Sequence, residues 1–301
     1  MSDTGSGTGT AIDEADPDYG LVEGALDVHV HTAPDLVERF QHDVALAHRV
    51  REAGLRGAVV KSHVVPTAGR VELANEAVGE RVLHGGVALN GSVGGVNPDA
   101  AEVALDLGAT VVWLPTAWSH NHASQARAAG VERFVGQRVP DAEEDLHVTE
   151  DGELTAATRR VLDLVAEHDA VLGTGHVAPA AIETVVDACA DAGARCLVNH
   201  PFFRVLDLSV EQQAALADRG AVMEFCGYAV QSTEGHTVER VARAVERIGA
   251  DRCLLATDFG QASNPPVEGL ASFASALVDA GLERETVRKL VAETPVDLLG
   301  L

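Results

Sequence analysis

Short apolar segments alternate with helix-like segments eight times along this chain. After a first apolar segment within 26–35, the others stand at 57–63, 81–90, 109–116, 170–176, 195–200, 221–225 and 253–258. Most are continuous apolar runs, which is typical of strands buried on both faces. The segments between them have apolar residues at helical spacing, and one begins with a capping box, Ser209 followed by Gln212. This alternation predicts parallel strands joined by helices.

Eight such units within 301 residues predict an α/β fold, the (β/α)8 TIM barrel, which often takes about 250 residues. A doubly wound open sheet is the alternative, but the loop G-S-V-G-G-V-N-P after the third strand lacks the G-x-G-x-x-G of a dinucleotide site. We expect a flexible tail over residues 1–18 and a single barrel domain over 19–301. Residues 117–155 break the alternation after the fourth strand and contain an Asp-Gly turn, so they predict a lid-like insertion.

Asp27, His29 and His31 occupy alternate positions of the first strand. Because a strand has a period of two, their side chains project from one face. Two neighbouring neutral imidazoles can bind one metal ion, although an isolated H-x-H is as often a pair of half-buried histidines. We expect Asp27 to fix the strand backbone or a histidine ring rather than to bind metal.

Ligand-type residues lie on, or at the end of, most of the other predicted strands. They are Lys61 and His63 on the second strand, His176 on the fifth, His200 on the sixth, Glu224 on the seventh and Asp258 on the eighth. In a barrel the carboxyl ends of the strands converge on one mouth, where the active sites of such enzymes lie. So many ligand-type residues at one end predict a metal site.

Four motifs, H-V-H, T-G-H, N-H-P and T-D-F-G, resemble those of the metal-dependent amidohydrolase superfamily of TIM-barrel hydrolases. The C-terminal T-P-V-D-L-L-G-L is similar to that family's closing segment, and the resemblance spans about 26–301. It implies that one or two divalent metal ions are held by His29, His31, His176, His200 and Asp258. The motifs K-S-H-x-x-P-T, G-G-V-N-P and T-D-F-G-Q resemble an uncharacterised branch, so no substrate is implied.

The metal is expected to be zinc, with manganese, iron and nickel as alternatives, because all of them accept imidazole and carboxylate. Binuclear members of the superfamily bridge their metals with a carboxylated lysine or a glutamate from the fourth strand, and V-V-W-L-P-T offers neither. Lys61 on the second strand is the candidate substitute, because burial lowers a lysine pKa and a neutral amine can add carbon dioxide. We expect a carbamylated Lys61 bridge or a cation for a substrate carboxylate. An amine paired with Glu224 or Asp258 remains equally open.

The remaining candidates are expected to bind substrate or to support the ligands. His63 lies on the same strand face as Lys61 and is expected at the mouth, as a ligand or an oxyanion donor. Glu224 would bind substrate, orient a ligand or neutralise Lys61. His120 and His122 lie in the insertion and could close over a substrate, although solvated loop histidines are the preferred interpretation.

The predicted function is an amidohydrolase-type, metal-dependent hydrolase of a small molecule, in which metal-activated water attacks an amide, cyclic amide, lactone or ester. Asp258 is expected to be the general base, and His200, His63 or Lys61 would help to polarise the reacting oxygen. A metal-dependent decarboxylase or phosphoesterase on the same barrel is the alternative, with Arg204 as the candidate for a phosphate. A non-catalytic, metal-binding barrel is a further alternative function.

The net charge is −24, from 46 acidic and 22 basic residues, and it repels nucleic acid and anionic membranes. Only two residues are lysines, and this acid-rich, lysine-poor composition resembles that of halophilic proteins, in which salt screens the self-repulsion. The N-terminus lacks a secretory pattern and the four cysteines lie in apolar contexts, which favours a cytoplasmic protein. We expect a small-molecule substrate and neither a nucleic-acid nor a membrane partner, and a homo-oligomer stays open.

Overall fold

The computed structural model describes Ile12, residues 15–233 and residues 235–301. Its barrel strands are β1 (Leu26–Val30), β2 (Gly57–Val60), β3 (Leu83–Ala88), β4 (Ala109–Trp113), β5 (Val171–Gly173), β6 (Arg195–Val198), β7 (Val222–Cys226) and β8 (Cys253–Ala256). All eight are parallel, each pairs with the next in sequence order, and the bridge Val30↔Phe259 joins the last to the first. The predicted (β/α)8 barrel is confirmed.

Helices cover the outside of the barrel. They are Tyr19–Val22, Asp43–Glu52, Ala68–Val78, Pro98–Asp106, His120–Ala128, Ala156–Glu167, Pro179–Ala192, Val210–Asp218, Gly227–Ser232, Val238–Ile248, Pro266–Asp279, Arg284–Arg288 and Thr294–Leu299, with 3-10 turns at Gly91–Val93 and Ala250–Arg252 and a π turn at Lys289–Glu293. The capping box predicted at Ser209 is present, since Ser209 Oγ accepts from Gln212 N at 3.2 Å and Gln212 Oε1 accepts from Ser209 N at 2.9 Å. Among the described helices, none is long and apolar enough to cross a membrane.

Asp27 fastens the first strand to the last one. Its Oδ1 accepts from the backbone N–H groups of His29 and Thr257, both at 3.1 Å, and its Oδ2 accepts from Thr257 Oγ1 at 2.6 Å. Burial raises the pKa of Asp27 to about 7, although these hydrogen bonds work against the shift. The carboxyl therefore closes the barrel next to His29.

The insertion over residues 117–155 is folded onto the barrel mouth. After the helix His120–Ala128 it forms two hairpins, Arg133–Phe134 with Gln137–Arg138 and Thr149–Glu150 with Glu153–Leu154. Ser119 caps the helix by accepting from His122 N at 3.1 Å, and its hydroxyl donates to His176 O at 2.9 Å. The start of the insertion is thereby fixed beside a predicted metal ligand.

Most of the predicted tail over residues 1–18 lies outside the described residues. Of its described residues, Ile12 is buried, and Asp18 caps the helix Tyr19–Val22 and pairs with Arg284 at 2.7 Å. Asp18 is therefore bonded to the folded domain, and the flexible tail over residues 1–18 stays a prediction.

Candidate active site

The two histidines of the first strand meet the aspartate that follows β8. Asp258 Oδ1 lies 3.0 Å from His31 Nε2 and 3.1 Å from His29 Nε2. Two ligand atoms that are each about 2.0–2.1 Å from a tetrahedral zinc ion lie about 3.3 Å apart. These three side chains therefore have the spacing of ligands to one metal ion.

A second pair of imidazoles lies beside this group. His176 and His200 follow β5 and β6, and their Nε2 atoms are 3.2 Å apart. The His200 ring lies 5.9 Å from that of His29 between centroids, so the five residues form one cluster. In the described part of the chain, the buried Nδ1 atoms of His31 and His200 have no hydrogen-bond partner. A cluster of four imidazoles and one carboxylate fits one or two divalent cations.

The charge states of the cluster suit metal binding. Burial lowers the pKa of His31 and His200 to about 4 and that of His176 well below its usual value, so these rings are neutral at pH 7. Burial works against ionisation of Asp258, but the imidazoles of His29 and His31 outweigh it and lower the pKa of that carboxyl. Neutral imidazole and carboxylate are the forms that bind metal.

Two of these residues have an uncommon backbone conformation. The φ angle is 29° at His200 and 54° at Asp258, in the left-handed region that few residues other than glycine adopt. The structure holds Asp258 there with a hydrogen bond from its N–H to His29 O at 2.8 Å. Such residues cluster at functional sites, because the surrounding fold has to fix them.

Glu224 orients His29 from inside the barrel. Its carboxylate lies 3.2 Å from His29 Nδ1 and accepts from Asn199 Nδ2 at 2.9 Å. Burial works against ionisation of Glu224, but His29 and Asn199 outweigh it and lower its pKa to about 2. With Cys226, Glu224 and His29 also form a compact buried group, but that group lies on the Nδ1 side. Nε2 of His29 is thus left to face Asp258. A carboxylate on one ring nitrogen, with the other nitrogen free for metal, is the usual arrangement of a histidine ligand.

Lys61 reaches the same cluster. It is buried, and its Nζ lies 3.1 Å from His29 Nε2 and 5.3 Å from the centre of the Trp113 ring. Among the described ion pairs, those of Glu224 and Asp258 are formed with histidines and none with Lys61. Burial lowers the pKa of Lys61. The structure therefore does not show the alternative in which the Lys61 amine forms an ion pair with Glu224 or Asp258.

His63 lies beside the cluster, at the end of β2. Its ring stacks on that of His31 with centroids 5.0 Å apart, and its Nδ1 lies 2.8 Å from Thr116 Oγ1. That hydroxyl oxygen accepts from Asn90 Nδ2 at 2.8 Å, so its proton is available for Nδ1 of His63. With the Thr116 hydroxyl as donor to Nδ1, the neutral His63 ring carries its proton on Nε2, and this nitrogen is then a hydrogen-bond donor.

The two histidines of the insertion have different surroundings. His122 is buried, with its Nδ1 2.6 Å from His176 Nδ1, so the preferred interpretation as a solvated loop residue was wrong for it. His120 is half-exposed and its Nδ1 lies 3.1 Å from Asp145 Oδ2, and it does not line the cavity at the barrel mouth. Only His122 is therefore placed to support a metal ligand.

A cavity of about 280 Å³ opens at the cluster. Its walls comprise His31, Lys61, His63, His176, His200 and Asp258 together with Val37, Glu38, Arg39, Phe134, Val135, Phe203, Tyr228 and Gln261. A cavity of this volume suits a small substrate. Phe134 and Val135 belong to the insertion, which therefore lies where a lid would lie, and its movement stays a prediction.

Sequence reasoning missed three residues of this wall. Arg39, Phe134 and Tyr228 follow no strand or helix periodicity, and the one available signal was an arginine in the loop after H-x-H. Arg204, the candidate for a phosphate, is exposed, and its guanidinium lies 5.5 Å from the centre of the Phe203 ring. It does not line the cavity.

A protein-family model described as a family of unknown function (DUF6282) matches residues 24–224. A comparison with curated proteins found no match. One similar solved structure is an amidohydrolase from Pseudomonas aeruginosa, with 13% identity and a TM-score of 0.58, covering 93% of this chain and 97% of that one. Another is an amidohydrolase from Burkholderia multivorans, with 12% identity and a TM-score of 0.54, covering 92% and 99%.

A third similar structure is N-acetyl-D-glucosamine-6-phosphate deacetylase from Mycobacterium smegmatis, with 14% identity and a TM-score of 0.56, covering 93% of this chain and 78% of that one. The first two are amidohydrolase enzymes by name, and the third is named for removal of an acetyl group. At this identity the likeness concerns the fold. It agrees with the barrel fold that the resemblance of the motifs implied.

Proposed function

The chain belongs to the family of unknown function DUF6282, and we propose that it is a metal-dependent hydrolase of a small molecule that cleaves an amide, cyclic amide, lactone or ester. The observation that carries the proposal is the convergence of His29, His31, His176, His200 and Asp258 in one cluster. All of them except the fully buried His29 line the cavity. The names of the structural neighbours, two amidohydrolases and a deacetylase, support hydrolysis of a carbonyl compound.

His29, His31 and Asp258 would hold one divalent cation, and His176 and His200 would contribute to it or to a second one. We propose zinc, because imidazole and carboxylate are its usual ligands in catalytic sites. The cation would supply Lewis acidity, which makes water a nucleophile near neutral pH and polarises a carbonyl group.

Asp258 is the proposed general base. It stays ionised at neutral pH, it is partly open to the cavity, and the imidazoles of His29 and His31 hold its Oδ1 in place. From there it would take the proton of the attacking water and pass it to the leaving group. His63 would donate its Nε2 proton to the oxygen that becomes negative, because burial lowers the pKa of this ring and keeps it neutral.

Lys61 is the proposed site of carbamylation. A neutral amine attacks carbon dioxide, an N–C bond forms and one proton leaves, and the product is a carboxylate on the lysine nitrogen. A buried amine without a carboxylate partner, next to His29 Nε2, favours this reaction. The carbamate would take the place of the fourth-strand bridging residue that this chain lacks.

Removal and return of metal tests the proposed function. We expect purified protein to hydrolyse members of a panel of amides, cyclic amides, lactones and esters, assayed at high salt to screen the charge of −24. Stripping with a chelator should lower the rate at least about 10³-fold, since the Lewis acid is lost, and added zinc or manganese should restore it.

The same panel contains phosphoesters and aromatic acids as controls for the alternatives. Hydrolysis that is unchanged by chelation would contradict the role of metal. Turnover of phosphoesters alone, or release of carbon dioxide from the acids without hydrolysis elsewhere in the panel, would replace the proposed reaction by a phosphoesterase or a decarboxylase.

A further inference from the structure

Arg39 is a cation in the wall of the cavity with no part in the cluster that would hold metal. It lies in the loop between β1 and the helix Asp43–Glu52, and its side chain is 2% exposed. It lines the cavity together with His31, Lys61 and Asp258. Arginine is seldom buried unless it is paired, so the partners of its guanidinium decide what this residue does.

The backbone around Arg39 is fixed to the segment that carries Asp258. Arg39 and Gln261 form an antiparallel bridge, and Phe40 N donates to Gly260 O at 2.9 Å. Gln261 lies three residues after Asp258, so these contacts tie the loop of Arg39 to the loop of Asp258. A guanidinium held in this way loses little conformational entropy when it binds a ligand.

Asp35 does not use the whole hydrogen-bonding capacity of Arg39. A guanidinium has five N–H donors. Nε donates to Asp35 Oδ2 at 2.8 Å, whereas Nη2 lies 2.7 Å from the same oxygen without hydrogen-bond geometry and is buried without another partner among the described residues. The other oxygen of Asp35 accepts from Leu36 N at 2.6 Å. Donors of Arg39 therefore remain for a ligand.

The positive charge of Arg39 acts inside the cavity. Burial is the largest cause of the lowered pKa of both His31 and His63, and the charge of Arg39 lowers the pKa of each ring further. The cavity wall includes the aromatic rings of Phe134 and Phe203 as well as the polar side chains of Glu38 and Gln261. In such surroundings a charge-assisted hydrogen bond is stronger than in water.

We infer that Arg39 binds a carboxylate of the substrate, at a point of the cavity separate from the carbonyl group that is hydrolysed. The inference rests on the proposed function and narrows it: the substrate would be a small lactone, cyclic amide or ester that also carries a carboxylate. The planar fork of arginine matches a carboxylate with two parallel hydrogen bonds. In a chain of net charge −24, a local cation is also what draws an anionic substrate into the mouth.

The test compares binding of glutarate and of its monoamide to the zinc-loaded protein by calorimetry. The two probes differ in one carboxylate, and each keeps another for the metal. We expect the wild type to bind glutarate about 10–100-fold more tightly, the value of a well-formed hydrogen bond between charged groups. The preference should fall below about 3-fold in Arg39→Met, because that variant keeps the length of the side chain and loses every donor.

Two further variants keep the test decisive. Arg204→Met removes an exposed arginine near the mouth and should keep the preference of the wild type. Arg39→Lys keeps the charge without the fork, and should lose most of the preference even if Arg39→Met fails to fold. The inference would be overturned if the wild type bound both probes equally or bound neither. It would also be overturned if the preference for glutarate survived in Arg39→Met or remained complete in Arg39→Lys.

This experiment separates the inference from the proposed function, because it measures binding without turnover. A protein that shows the preference linked to Arg39 and hydrolyses no compound of the panel overturns the hydrolase proposal alone. A protein that hydrolyses neutral compounds of the panel and shows no preference overturns the carboxylate site alone.

Discussion

Asp258→Asn is expected to lower kcat/KM for hydrolysis at least about 10³-fold while the barrel stays folded. The amide cannot take a proton from water, and general-base catalysis alone is worth about 10²–10⁴-fold. Asparagine tolerates the left-handed backbone conformation at this position almost as well as aspartate does. The measurement combines kinetics on a substrate from the panel, metal analysis and a thermal melt.

The matched control is Asp251→Asn, which makes the same chemical change at the other end of β8. Asp251 is exposed and pairs with Lys289, so its loss should leave the kinetics unchanged. A rate for Asp258→Asn within tenfold of the wild type, in protein that is folded and loaded with metal, would remove Asp258 from the role of general base.

Lys61→Ala is expected to abolish hydrolysis, and propionate should restore part of it where propylamine does not. If Lys61 acts as a carbamate, a small carboxylate in the space left by the truncation should replace it. If Lys61 acts as an amine, a small cation should replace it instead. In the wild type, ¹³C-labelled bicarbonate should also give a carbamate resonance that Lys61→Ala lacks.

The control for this experiment is Lys289→Ala. Lys61 and Lys289 are the two lysines of the chain, and Lys289 is paired with Asp251 on the surface. Lys289→Ala should keep both the resonance and the activity. Restoration of Lys61→Ala by the amine instead of the carboxylate would reject the carbamate, and full activity of Lys61→Ala would remove Lys61 from the site.

The barrel could be predicted from the sequence because its strands are apolar runs at regular intervals. The predicted strands were too long at their carboxyl ends: β2 ends at Val60 rather than at His63, and β8 ends at Ala256 rather than at Asp258. Residue types indicate that a segment is extended, but they do not indicate where its ladder of hydrogen bonds stops. The polar residues of the site lie just beyond those ends, where the side chains turn into the mouth.

The cluster of imidazoles and carboxylate could be predicted because topology alone brings the ends of parallel strands together. The cavity wall could not, because Arg39 lies in a loop, Phe134 in a two-residue hairpin strand and Tyr228 in a short helix, and tertiary contacts set where these segments lie. The same reason applies to His122: its burial against His176 depends on how Ser119 fastens the insertion to the barrel, and nothing in the local sequence records that contact.

Anomalous X-ray scattering at the zinc edge, from crystals of the zinc-loaded protein, tests the central claim most directly. We expect a peak at the barrel mouth, about 2.0–2.2 Å from Nε2 of His29 and His31 and from a carboxylate oxygen of Asp258. A fully loaded, folded protein with no peak there, or with its metal only at the surface group of His120, Asp145 and His147, would contradict it.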